Sequence, residues 1–190
     1  MIGALPKSLE VNGTQYPIRS DFRVALLIFE AYSNPELSNY EQAEICLQCL
    51  YEDSRSIPIE NMQEALEKAV WFLDGGDMPK SKSSDRKTLD WGQDESIIFP
   101  AVNKVAGYET RSVEYLHWWS FLGWFDSIAD GPFATVVALR DKLRRGKKLE
   151  PWEREFYRAH RAEVDLHRPA SPEADAEKQR LLALLKEDER

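Results

Sequence analysis

Apolar and polar residues alternate at the start of the chain and then fall into helical spacing. In SLEVNGTQYPI, residues 8–18, Leu9 and Val11 alternate with polar neighbours, and Tyr16 and Ile18 resume the alternation after Asn12-Gly13. Two residues that tolerate φ > 0 between alternating runs predict a tight β-hairpin. Pro17 cannot donate to a ladder and belongs on an edge. Ser20 then stands where it can cap a helix from about Asp21 to Ser33, with Val24, Leu27 and Ile28 on one face, ended by Asn34-Pro35. Ser38 and Glu41 have capping-box spacing ahead of Ala43, Cys46, Leu47 and Leu50. A third helix starts near Pro58, carries Ile59, Met62, Leu66, Ala69 and Leu73 as one stripe, and stops at Gly75-Gly76.

The stretch GGDMPKSKSSDRK, Gly75 to Lys87, has no apolar period and reads as a loop. Asp90 to Ala106 reads as a fourth helix, with Ile98, Ala101, Val102 and Val105 at helical spacing and Gly107 as its stop. Pro100 should kink it or mark a restart, because proline removes a backbone bond and crowds the preceding turn. Ser112 to Asp126 reads as the most apolar helix of the chain, and Pro132 and Pro151 open two more, to about Arg145 and Ala159. After Arg168 the composition turns to PASPEADAEKQRLLALLKEDER, with a short stripe of Leu181, Leu184 and Leu185. The expectation is a mainly α protein: a single compact domain of about seven helices with a small N-terminal β-hairpin over residues 1–168, and a charged helical tail over residues 169–190.

Composition narrows the function. A net charge of -8 argues against general affinity for nucleic acid or anionic lipid, both of them polyanions. The N-terminus has no apolar core of signal-peptide length, and no apolar run approaches the ~20 residues of a membrane span. The synthesising cell's cytoplasm is the default compartment, with neither nucleic acid nor membrane as partner.

Candidate chemistry is sparse. Cys46 and Cys49 form a C-x-x-C, but they fall mid-helix among Ile45, Leu47 and Leu50, without the second ligand pair that zinc requires. They read as small buried hydrophobes. His117, His160 and His167 lie in no metalloprotease or hydrolase motif, and no phosphate-binding glycine loop occurs. His117, set in a run of aromatics, reads as a hydrogen-bonded core or interface histidine. Arg140, Lys142, Arg144, Arg145, Lys147 and Lys148 make one basic cluster at a predicted helix C-terminus, where cations complement the dipole. Its flanks are acidic, unlike a nucleic-acid patch. No cofactor or metal is implied.

The remaining signal is aromatic. Tyr115, Trp118, Trp119, Phe121, Trp124 and Phe125 crowd one helix. At 100° per residue, Tyr115, Trp118, Leu122 and Phe125 share a face that should enter the core, while Trp119 and Phe121 point elsewhere. A helix apolar nearly all round is either central or half-exposed to a partner. Trp119, Phe121 and Trp124 are therefore candidate partner-binding residues, with Leu181, Leu184 and Leu185 as a second candidate surface.

The segments LPKSLEVNGTQYPIRSDFRVAL, DWGQDESIIFPAV, LHWWSFLGWFDSI, VVALRDKL and EPWEREFYRAHRAEVDL, in that order, resemble the bacteriophage Gp-fifteen family from about residue 5 to 166. The genes of that family lie between those of the major tail protein and the tape measure. The resemblance implies a tail-assembly chaperone of a long-tailed phage. Such a protein binds the tape-measure protein in the cytoplasm of the infected bacterial host and is absent from the mature virion. A frameshifted longer form of the chain, or other copies of it, are further partners on that reading. The family implies no catalytic residues. A structural tail component and an enzyme lacking a known motif remain the alternatives.

Overall fold

Asn12 (φ 46°) and Gly13 (φ 75°) both adopt left-handed backbone, so the turn twists in the sense its strands need. It joins β1 (Ser8–Val11) to β2 (Thr14–Pro17) in an antiparallel pair, Val11 opposite Thr14 and Ser8 opposite Pro17. The computed structural model describes residues 3–76 and 88–166. Among these, eight α-helices follow the hairpin: α1 (Phe22–Ser33), α2 (Asn39–Leu50), α3 (Met62–Leu73), α4 (Glu95–Ala106), α5 (Trp118–Asp126), α6 (Pro132–Arg144), α7 (Pro151–Ala159) and α8 (Arg161–Val164). Only Gly75 and Gly76 of the loop reading for 75–87 are described, and the leucine stripe at 181–185 lies outside the described residues.

Local chemistry sets most helix ends, with instructive shifts. Asp21, not Ser20, caps α1: its carboxylate accepts the Arg23 N–H at 3.0 Å, while the Ser20 hydroxyl pairs with that of Tyr115 at 2.7 Å. The buried side of α1 is Phe22, Ala25 and Ile28, and Leu27, assigned to it from the sequence, is 56% exposed. The Ser38–Glu41 capping box of α2 is formed as expected. Residues Ile59–Asn61 make a separate 3-10 turn before α3, so Ile59 leaves the stripe and stands 87% exposed.

Two helices start later than the spacing suggests. Ahead of α4, the Asp90 carboxylate accepts the Gln93 N–H at 2.9 Å, and Asp94 accepts the Asp90 N–H at 3.0 Å. Side chains thus hold residues 90–94 as turns. Pro100 sits inside α4 on its exposed side without ending it. Thr110–Ser112 make only a 3-10 turn, and the run from Val113 to His117 is not helical either. Phe22 donates to the Leu116 carbonyl (2.9 Å), Trp118 to that of Ser20 (2.8 Å), and Leu116 to the Asp21 carboxylate (3.0 Å). These bonds pin 116–118 as an extended bridge beside 20–22 and postpone α5 to Trp118. Tyr115 is therefore off the helix and half-exposed.

The main core joins the hairpin to α1–α5, and Phe133 of α6 closes it. Val136, Leu139 and Val164 form a smaller cluster with Ile97, Leu149, Phe156 and Tyr157, seating α6–α8. No helix among the described residues is long and apolar enough to cross a membrane.

Candidate functional site

His117 begins the aromatic helix. Its Nδ1 accepts the Trp119 N–H (3.0 Å) and its Nε2 lies 2.9 Å from the Pro6 carbonyl. The neutral Nε2–H tautomer satisfies both, and burial holds the imidazole below its usual pKa. Trp118, wholly buried, donates from Nε1 to the Leu73 carbonyl (2.9 Å), and Trp119 from Nε1 to that of Phe72 (2.8 Å). The Gly76 N–H meets Trp71 O (2.9 Å) and the Gly75 N–H meets Phe72 O (3.2 Å), a Schellman closure. The two indoles and two glycines thus satisfy the carbonyls that end α3, which would otherwise lack partners.

Helix α5 is central on more than one face. Phe121, read from the sequence as partner-facing, is fully buried: it stacks on Phe22 with centroids 4.7 Å apart and meets Phe99 edge-on at 6.0 Å. Because α1 and α4 flank α5 together, its second face is covered as well as the first. Trp119 is half-buried, wedged between Trp71 (5.3 Å) and Phe72 (6.0 Å). Leu122, expected in the core beside Trp118, is half-buried against the Gly75 turn. Trp124 is half-buried, edge-on to the more exposed Tyr108 at 5.6 Å.

An open apolar groove lies elsewhere, between α1 and the Trp91–Glu95 entry to α4. Phe22, Leu26, Leu27, Trp91, Ile98 and Phe99 line a space of about 510 Å³, rimmed by Arg23, Glu30, Glu95 and Arg111. A second concavity of about 500 Å³ extends it along Leu27, Glu30, Ala31, Ser33 and Asn34, with Asp90 and Gly92 opposite. The Arg23 guanidinium lies 4.6 Å over the Phe22 ring and that of Arg111 4.8 Å over Phe99, both within cation–π range. Asp21 and the Val113 carbonyl hold Arg23, and Glu109 holds Arg111. An apolar floor with a charged rim suits an amphipathic segment. The groove went unread because Leu27 counts as core by period, and its opposite wall comes from a distant turn.

The other sequence candidates resolve differently. Arg140 leaves the basic cluster and is buried with all five donor hydrogens engaged. Both Nη atoms meet the Asp94 carboxylate (2.6 and 2.8 Å), and Thr88, Glu163 and Val164 offer carbonyls. Asp141 pairs with Arg144 and Arg145, and Glu153 with Lys142. Cys46 is buried and Cys49 half-buried, both free thiols, and burial pushes the Cys46 thiol up. Among the described residues no cluster of His, Cys, Asp or Glu is arranged to hold a metal.

These features define a class: a mainly helical domain built round one aromatic helix, with an open groove on its flank. The chain belongs to the bacteriophage Gp15 family; the family model described as Bacteriophage Gp15 protein matches residues 1–166. No curated protein and no solved structure matches it.

Proposed function

We propose that this phage protein is a tail-assembly chaperone, a binding protein and not an enzyme. It binds the tape-measure protein and keeps it soluble until the tail tube polymerises around it. The observation that carries the reading is the α1–α4 groove, an apolar trough with a charged rim on a member of a phage family. A tape measure is a very long helical chain whose apolar stripes would aggregate before the tube encloses them. An amphipathic helix laid along α1 would set anchors at i, i+3 or i+4, and i+7 against Leu26, Leu27, Trp91 and Ile98. The net charge of -8 would keep the coated assembly dispersed. On this reading the protein acts in the cytoplasm of the infected host, takes neither nucleic acid nor membrane as partner, and is left out of the mature virion.

The test is co-expression with a tape-measure fragment that is insoluble alone. The wild-type chain should bring the fragment into the soluble fraction, and Leu27→Glu, at an exposed position, should fail to do so while remaining soluble itself. Equal rescue by both would move the binding face away from the groove. Stoichiometric presence of the protein in purified virions would favour a structural tail component instead.

A further inference from the structure

The charged rim of the groove is not electrically balanced. Arg23 and Arg111 stand on it, yet both have committed their donors to the fold. Arg23 donates from Nη1 to Asp21 (3.1 Å) and from Nη2 to the Arg111 and Val113 carbonyls (3.1 and 2.8 Å). Arg111 donates from Nε and Nη2 to Glu109 at 2.8 and 3.0 Å. Both guanidiniums also lie over rings of the floor, Phe22 and Phe99.

Glu30 and Glu95 are placed differently. Both are exposed, and among the described residues neither makes a hydrogen bond or an ion pair. The pKa of Arg111 is held up first by its hydrogen bond to Glu109, and Glu95 adds to this without a direct bond. With Asp21 and Glu109, which pair the arginines, and Asp90 in the extension, five carboxylates stand against two guanidiniums, a net of -3.

We propose that the α1–α4 groove takes a basic amphipathic helix, one whose apolar stripe is edged on both sides by Lys or Arg. The proposal rests on the groove reading above and adds to it the charge of the occupant.

Placement along the walls carries the argument. Glu30 follows Leu27 by three residues on α1, and Glu95 precedes Ile98 by three on α4. Each wall thus sets a carboxylate one helical turn from an apolar side chain of the floor. A helix seated between Leu27 and Ile98 covers both carboxylates with its flanks. Covering them strips water from two charges that have no partner in the fold; cations on the flanks replace that solvation, and anions would add repulsion. The apolar floor concentrates the field of the rim on whatever enters. The arginines do not reverse this preference, since their own carboxylates already neutralise them.

The experiment measures binding of three designed, fluorescein-labelled peptides to the full chain by anisotropy. All share an apolar stripe at i, i+3, i+4 and i+7, and their flanking positions are Lys in one, Gln in the second and Glu in the third. At ~50 mM salt the Lys peptide should bind at least about tenfold tighter than the Glu peptide, and the gap should narrow at ~0.5 M. Glu30→Lys with Glu95→Lys should invert the order, Glu30→Gln with Glu95→Gln should narrow the gap, and Leu27→Ser should weaken all three peptides. Circular dichroism and a thermal melt check that each variant is folded. Equal affinities would overturn the proposal, and so would an order unchanged in both double variants, which would assign selectivity to the charge of the whole chain. If Leu27→Ser still weakens binding in those cases, the groove reading stands without its charge preference. Binding indifferent to Leu27→Ser, or no binding by any peptide, would sink the groove reading together with the proposal. Sedimentation of the chain alone supplies the last outcome: a dimer abolished by Leu27→Ser would assign the groove to a second copy and overturn the proposal.

Discussion

Arg140 shows what a single buried charge asks of a fold. Its side chain ties α6 to the Asp94 turn that opens α4 and to the carbonyls that end α8. Burying a guanidinium is costly, and here every donor has a partner. Arg140→Ala should destabilise the domain by about 3–5 kcal/mol, because the Asp94 carboxylate would be left buried and unpaired. Arg140→Lys should recover only a fraction, since a lysine has three donors and no planar fork. Urea unfolding of both variants checks this, and an Arg140→Ala loss within ~0.5 kcal/mol would mean that the clasp is loose. From the sequence Arg140 was indistinguishable from its basic neighbours; its partner stands in a turn far along the chain.

His117 gives a pH dependence with a definite sign. Burial lowers its folded pKa, so the unfolded chain takes up the proton first as pH falls. Its contribution to stability is whole above the ordinary histidine pKa of about 6.5 and declines as pH drops below that value. The melting temperature should therefore fall between pH 7 and pH 5, and by less in His117→Asn. Asparagine can cap α5 but does not titrate. Equal slopes for the two proteins would remove His117 from the explanation.

At the scale of elements, what was legible was local. Asn12-Gly13 specified the hairpin, Ser38 and Glu41 the start of α2, and Pro132 and Pro151 the starts of α6 and α7, because each acts within a few residues of itself. The late start of α5 was not legible. It depends on backbone bonds from the 20–22 segment, which no spacing in 112–126 encodes. The closure of α3 is similarly non-local, and it gives a graded prediction. A Cβ at Gly76, φ +85°, would stand 2.7 Å from Trp119 Cη2, whereas one at Gly107, φ +81°, would meet nothing within 4 Å. Gly107→Ala should cost only left-handed strain, about 1 kcal/mol, and Gly76→Ala roughly 2–4 kcal/mol because the indole must also move. Thermal melts that ranked the two equally would argue against a wedged Trp119. The same wedge makes Trp119→Ala a stability variant, costing on the order of 2–3 kcal/mol with its bond to Phe72 lost.

Across the whole molecule, the helical fold and its hairpin followed from periodicity, but the groove did not. A period fixes which residues share a face, not how far the neighbouring elements extend over that face. Helix α5 carries aromatics on more than one face, and α1, α3 and α4 cover most of them. Neighbours enclose Ile28 on α1 yet leave Leu27, one residue earlier, open to solvent. The groove is thus a product of packing, completed by Trp91 and Gly92. The most direct test of its role is the affinity of a soluble tape-measure fragment for three proteins: wild type, Leu27→Glu and Trp124→Ala. Binding through the groove predicts that Leu27→Glu weakens the complex at least about tenfold, ~1.4 kcal/mol, with its melting temperature unchanged, while Trp124→Ala binds like wild type. Normal binding by Leu27→Glu together with a selective loss in Trp124→Ala would contradict the account and return the binding face to α5.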